Sequence, residues 1–128
     1  MLVVDASVAV HAAAAGVPPF AGEDLVAPPL MWAEARSVLH EAAWRGEVAS
    51  EDAQAALTSL EALPIRRRSP RGLGTEAWNV ADEMGWAKTY DAEYVALARL
   101  LRCKLVTVDL RLRRGAGRLG LVALPTEL

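Results

Sequence analysis

Short apolar runs alternate along the chain with longer amphipathic stretches. Leu2-Val3-Val4 is apolar, rich in β-branched residues, and stops at Asp5. Lys104-Leu105-Val106-Thr107-Val108 reads as a second clear strand and stops at Asp109. Both are continuous rather than alternating, as strands are when helices cover both faces of a parallel sheet. Helices are expected from about Ser7 to Gly16, from Leu30 to Arg45 before Gly46, and from a cap at Ser50 toward Leu63. Two more are expected from Thr75 to Met84, stopping at Gly85, and from Tyr90 to Arg102. Gly16 to Pro29 holds the pairs Pro18-Pro19 and Pro28-Pro29 and reads as a loop. Pro64 to Arg68 reads as a weak strand or extended link, Leu110 opens a short helix, and Leu121 to Leu124 reads as an edge strand. This alternation predicts one α/β domain over residues 1–128, with three layers around a parallel sheet. In such sheets ligands sit beyond the carboxyl ends of the strands, and both clear strands end in aspartate.

Composition narrows the picture. A chain of 128 residues suits one domain with a real core. Its apolar stretches are short and interrupted by charge, which excludes a transmembrane helix, and no secretory signal is read at Met1. The lone Cys103 leaves no internal disulfide and fits a reducing cytoplasm. A net charge of −2 excludes a bulk polyanion binder. Twelve arginines against two lysines nevertheless cluster as Arg66, Arg67, Arg68 and Arg71, and as Arg111, Arg113, Arg114 and Arg118. Such runs read as solvated faces or as contacts to a phosphate backbone.

The acids carry the chemistry. Asp5 and Asp109 each follow a strand, where an aspartate can simply cap the next helix. Asp91 opens the helix from Tyr90, complements its dipole, and shares a face with Val95 and Ala98, which aims it at the rim of the sheet. Glu34 sits at the edge of the apolar arc formed by Met31, Ala35, Val38, Leu39 and Ala42, where a solvated glutamate is the plain alternative. Carboxylates converging on one rim repel one another, so they take up protons or gather a cation. Mg²⁺ and Mn²⁺ prefer such hard oxygen ligands. His11 and His40 have no partner spacing for zinc or acid–base work, no glycine-rich phosphate loop is present, and Trp32, Trp44, Trp78 and Trp86 read as core or interface residues.

These segments together resemble the PIN-domain ribonucleases, specifically the VapC-type toxins of bacterial toxin–antitoxin pairs. The resemblance runs through Val3-Val4-Asp5-Ala6-Ser7-Val8, then Ala27-Pro28-Pro29-Leu30 with Glu34 and Val38-Leu39. It continues through Tyr90-Asp91-Ala92-Glu93-Tyr94-Val95-Ala96-Leu97-Ala98, then Leu105-Val106-Thr107-Val108-Asp109 with Leu112. The chain departs from the family pattern at Ser37, where an asparagine is common. The resemblance implies a sheet of four or five parallel strands, one or two Mg²⁺ or Mn²⁺ ions, and hydrolysis of RNA. It also implies a cognate VapB-type antitoxin and a homodimer.

On this reading Asp5, Asp91 and Asp109 are metal ligands, and Glu34 binds metal directly or through water, or orients the attacking water. Ser7 and Thr107 are supporting hydroxyls, and Arg111 and Arg113 are candidate phosphate contacts. Two alternatives stand beside it. A receiver-like phospho-aspartate module would want an acidic pair after the first strand and a lysine after a late one, and this chain has neither. A catalytically silent domain that only binds an antitoxin would have no need of all four acids.

Overall fold

The computed structural model describes all 128 residues. Five strands, β1 (Leu2–Val4), β2 (Leu25–Ala27), β3 (Ile65–Arg67), β4 (Lys104–Val106) and β5 (Val122–Ala123), form one parallel sheet in the order β3-β2-β1-β4-β5. Six helices connect them: α1 (Ala6–Ala15), α2 (Leu30–Trp44), α3 (Ser50–Ala62), α4 (Leu73–Met84), α5 (Tyr90–Leu101) and α6 (Leu110–Ala116). No helix is long and apolar enough to cross a membrane. The expected three-layer α/β fold with a parallel sheet is what the chain adopts.

The chain moves outward from β1 through β2 to β3, then crosses back to β4 and β5 on the other side of β1. Parallel crossovers are almost always right-handed, so this reversal puts α1, α2 and α3 on one face and α4, α5 and α6 on the other. The packing agrees: α1 rests on α2 and α3, α4 rests on α5, and α5 lies against β1 and β4. The core sits where these layers meet the sheet. Val3, Val4, Val26, Ala27, Leu105 and Val106 are sealed from solvent, as are Val95 to Ala98 of α5.

The point where strand order reverses lies between β1 and β4. There the register pairs Val4 with Val106, which sets Asp5 beside Thr107 at the carboxyl ends of neighbouring strands. The fold therefore delivers two chain segments far apart in sequence to the crevice where open parallel sheets bind ligands.

Several boundaries differ from the sequence reading. The stretch from Gly16 to Pro29 is not all loop, since β2 lies within it. Pro28 disfavours helix at Ala27, and Leu25-Val26-Ala27 is buried throughout between β1 and β3. Ser50 is the first residue of α3 rather than its cap; the cap position is Ala49, and Glu51 and Asp52 complement the dipole in the first turn. The helix α4 begins at Leu73, before the expected Thr75, because Gly72 takes a left-handed turn at φ 86° and lets Leu73 pack inward. The strand β4 ends at Val106, although Thr107 still donates its N–H to Ala123. Val38 faces solvent at 47 % exposure rather than completing the buried arc of α2.

Candidate active site

Asp5 leaves β1 in extended conformation and turns the chain into α1, accepting the Val8 N–H at 3.1 Å as the helix cap. The plain capping role therefore exists, but it uses only part of the carboxylate. Ser7 Oγ donates to the same Oδ1 at 2.6 Å, and Thr107 Oγ1 donates to Oδ2. These hydroxyls are tied down in turn. Val108 N–H donates to Ser7 Oγ at 3.2 Å, and Asp109 N–H donates to Thr107 Oγ1 at 2.9 Å. Asp5 and Thr107 are the buried polar residues of the protein, and no buried polar side-chain atom lacks a partner. Burial pushes the Asp5 carboxyl above its ordinary pKa. The bonds from Ser7, Thr107 and Val8 work against that rise, and the charge of Asp109 adds to it.

Asp109 caps α6 in the same manner, accepting Arg111 N–H at 2.9 Å and Leu112 N–H at 3.3 Å on Oδ1. Its Oδ2 faces the Arg111 guanidinium at 3.5 Å, and the same Nη2 lies 3.6 Å from Asp91 Oδ2. One exposed arginine thus spans two of the acids. Asp91 stands in the first turn of α5, and burial raises its pKa while Arg111 opposes the rise and Asp109 adds to it.

Glu34, on α2, is held by a side chain of α5, which comes from the opposite layer. Tyr94, 2 % exposed, donates its hydroxyl to Glu34 Oε1 at 2.5 Å. Burial again raises the Glu34 pKa; the tyrosine bond opposes it, and the charges of Asp91, Asp5 and Glu93 reinforce it. Burial, together with Glu34, pushes the Tyr94 phenol above its usual value, so it stays a donor. Sequence reasoning assigned Tyr94 no role, yet it lies three residues after Asp91 on the same helical face. That spacing was a usable signal.

The four acids named from the sequence therefore share one electrostatic neighbourhood. The donor set is all oxygen, which suits a hard divalent cation. As the side chains stand, no three of them form a finished ligand cage. The Arg111 guanidinium supplies the positive charge nearest Asp91 and Asp109. The second expected phosphate contact is not free in the same way. Arg113 makes a two-pronged pair with Glu127 at 2.7 and 2.9 Å, and that pair holds the Glu127 carboxyl down to about 2. Much of the remaining basic run is also engaged. Arg66 pairs with Asp24, Arg67 stacks over Trp32 at 4.7 Å, and Arg118 donates to the Glu83 carbonyl.

Comparison with known proteins shows the family. Residues 2–118 match the model of the PIN domain. The chain is 37 % identical over 115 residues to VapC ribonuclease Mb0985 of Mycobacterium bovis and to Ribonuclease VapC9 of Mycobacterium tuberculosis, covering 88 % of each chain. The chain belongs to the PIN-domain family, in its VapC group. This PIN domain also superposes on the crystal structure of PAE2754 from Pyrobaculum aerophilum with a TM-score of 0.66 and 25 % identity, covering 89 % of this chain and 78 % of that one. The receiver-like alternative falls with this assignment.

The electrostatics of this PIN domain have a measurable consequence without metal. Burial raises Asp5, Glu34 and Asp91, so folding favours their protonated forms. The stability they contribute is present below the ordinary carboxylate range and is lost as pH rises through the raised values. Thermal melts in chelator should therefore fall as pH climbs from the acid range toward neutrality. Asp5→Asn should flatten that slope and raise the neutral-pH melting temperature above wild type. A variant that melts lower at neutral pH, with the slope unchanged, would show that burial does not strain Asp5.

Proposed function

We propose that this chain is a metal-dependent endoribonuclease, the toxin of a toxin–antitoxin pair. The observation that carries this reading is the gathering of Asp5, Glu34, Asp91 and Asp109 beyond the strand ends. Burial pushes up the carboxyls of Asp5, Glu34 and Asp91, and one exposed arginine, Arg111, lies between Asp91 and Asp109. The ribonuclease names of the mycobacterial relatives support the choice of RNA as substrate.

Asp5, Asp91 and Asp109 would hold Mg²⁺ or Mn²⁺, with Glu34 completing the set or orienting water. When bound, a divalent cation supplies the charge that polarises a phosphodiester and makes water a better nucleophile. Every other part of the work falls to the protein. Ser7 and Thr107 fix the Asp5 carboxylate by donating to both of its oxygens. Tyr94 fixes the rotamer of Glu34, leaving Oε2 for water. Arg111, 78 % exposed, is long enough to leave the acids and meet a phosphate of the substrate. A VapB-type antitoxin is the expected protein partner. A second copy of the chain is the other, and the exposed Trp44 and Trp78 offer the aromatic surface such contacts use.

RNA cleavage by the purified protein should vanish in chelator and return with Mn²⁺. Asp5→Asn and Asp91→Asn should lower the rate by on the order of a hundredfold or more. Ser7→Ala and Thr107→Val should each cost about 10- to 100-fold in metal affinity or rate, as second-layer partners of ligands do. Equal cleavage by all variants and in chelator would point to a contaminant. Saturable Mn²⁺ binding without cleavage would favour a silent domain that only binds its antitoxin. Sedimentation of the isolated protein should give twice the chain mass; a monomer at all concentrations would refute the dimer.

A further inference from the structure

An open groove of about 670 Å³ begins at Glu34 and Asp91 and runs away from the sheet between α6 and the segment joining α4 to α5. Its far part has a different chemistry from its acidic end. Tyr90, the residue before Asp91, lines it and is 59 % exposed. Trp86 lines it too, with part of its indole packed against the core and its ring edge beside Gly115 of α6. A Cβ built on Gly115 would stand 3.9 Å from that ring, which puts the indole alongside α6 at this point. Lys88, one of the two lysines of the chain, lies between the two aromatics in sequence and lines the same groove in space.

Tyr90 is one of several large apolar side chains left exposed, Trp44 and Trp78 among them, and it lines the groove that holds Glu34 and Asp91. An aromatic face, an indole wall and an ammonium group in one open trench fit a flat base joined to a phosphate. Base–aromatic stacking tolerates any sequence, because every base has a π-face, and it contributes strongly for each base stacked. The trench is continuous with the acids, so a chain lying in it would place an adjoining phosphodiester at Asp91. A polyanion would also meet Lys88 and Arg111, the two basic side chains that line the groove.

We propose that this groove is a nucleotide subsite: a base of single-stranded RNA next to the scissile phosphate stacks on Tyr90 against Trp86, and Lys88 holds the phosphate beyond it. The subsite rests on the nuclease reading and adds to it the grip on the substrate's flank. It makes Tyr90 and Lys88 positioning residues, acting on where the strand lies rather than on the reacting atoms.

The test uses the full chain with a fluorescein-labelled short oligoribonucleotide and Ca²⁺ as the cation, read by anisotropy. Tyr90→Ala should weaken binding about 5- to 150-fold, and Tyr90→Phe should bind as wild type because stacking needs only the ring. Lys88→Ala should make the salt dependence shallower by about 0.7 in log–log slope. Mn²⁺ affinity, read by calorimetric titration without RNA, should be the same in Tyr90→Ala and wild type. Oligonucleotide binding unchanged in Tyr90→Ala would overturn the subsite, as would an equal loss in Tyr90→Phe. Loss of Mn²⁺ binding in Tyr90→Ala would overturn it as well, by tying Tyr90 to the acids. RNA cleavage left intact in Asp5→Asn is the separate signature of a failed nuclease reading, and the subsite would fall with it.

Discussion

Asp5 is a carboxylate sunk to 5 % exposure at the end of a central strand, with three further acids in its electrostatic neighbourhood. Removing a charge from water is costly unless hydrogen bonds or a counter-charge replace the solvent. The protein supplies the first through Ser7, Thr107 and the Val8 amide, and part of the second through Arg111. These donors only moderate the strain, because burial still raises Asp5, Glu34 and Asp91. The rest of the architecture can be understood as what keeps those groups in place against their repulsion.

The sheet does this through its topology. Reversal of strand order between β1 and β4 brings Asp5 and Asp109 to adjacent strand ends from opposite ends of the sequence. The same two hydroxyls that donate to Asp5 accept from the backbone of Val108 and Asp109. The loops after β1 and β4 are thus stitched into one unit, and the acids inherit its rigidity. The helix α5 closes the site from one layer and α2 reaches it from the other, joined through the Tyr94–Glu34 bond. A displaced α5 would therefore move Asp91 and release Glu34 together.

Much of this was legible in the sequence. The apolar runs before Asp5 and Asp109 marked β1 and β4 because strands buried on both faces need no polar alternation. Placing Asp91 on the face of Val95 and Ala98 aimed it at the rim, and in the structure it lies beside Arg111, which also faces Asp109. The misses have physical causes. The strand β2 is three residues long, too short for any period, and it exists because neighbouring strands pair with it. Tyr94 was given no role, since that role depends on Glu34, sixty residues away in sequence. Arg113 looked equivalent to Arg111, yet two positions along the helix turn it toward Glu127 while Arg111 meets the acids. Such pairings between distant segments leave no periodic trace along the chain.

The account depends on these acids forming one site for a divalent cation. Calorimetric titration of the metal-free protein with Mn²⁺ tests that directly, with no RNA present. Wild type should show saturable binding, and Asp5→Asn, Asp91→Asn and Asp109→Asn should each abolish or sharply weaken it. Heats that never saturate, or isotherms that all three variants leave unchanged, would contradict a shared cation site at the end of this sheet.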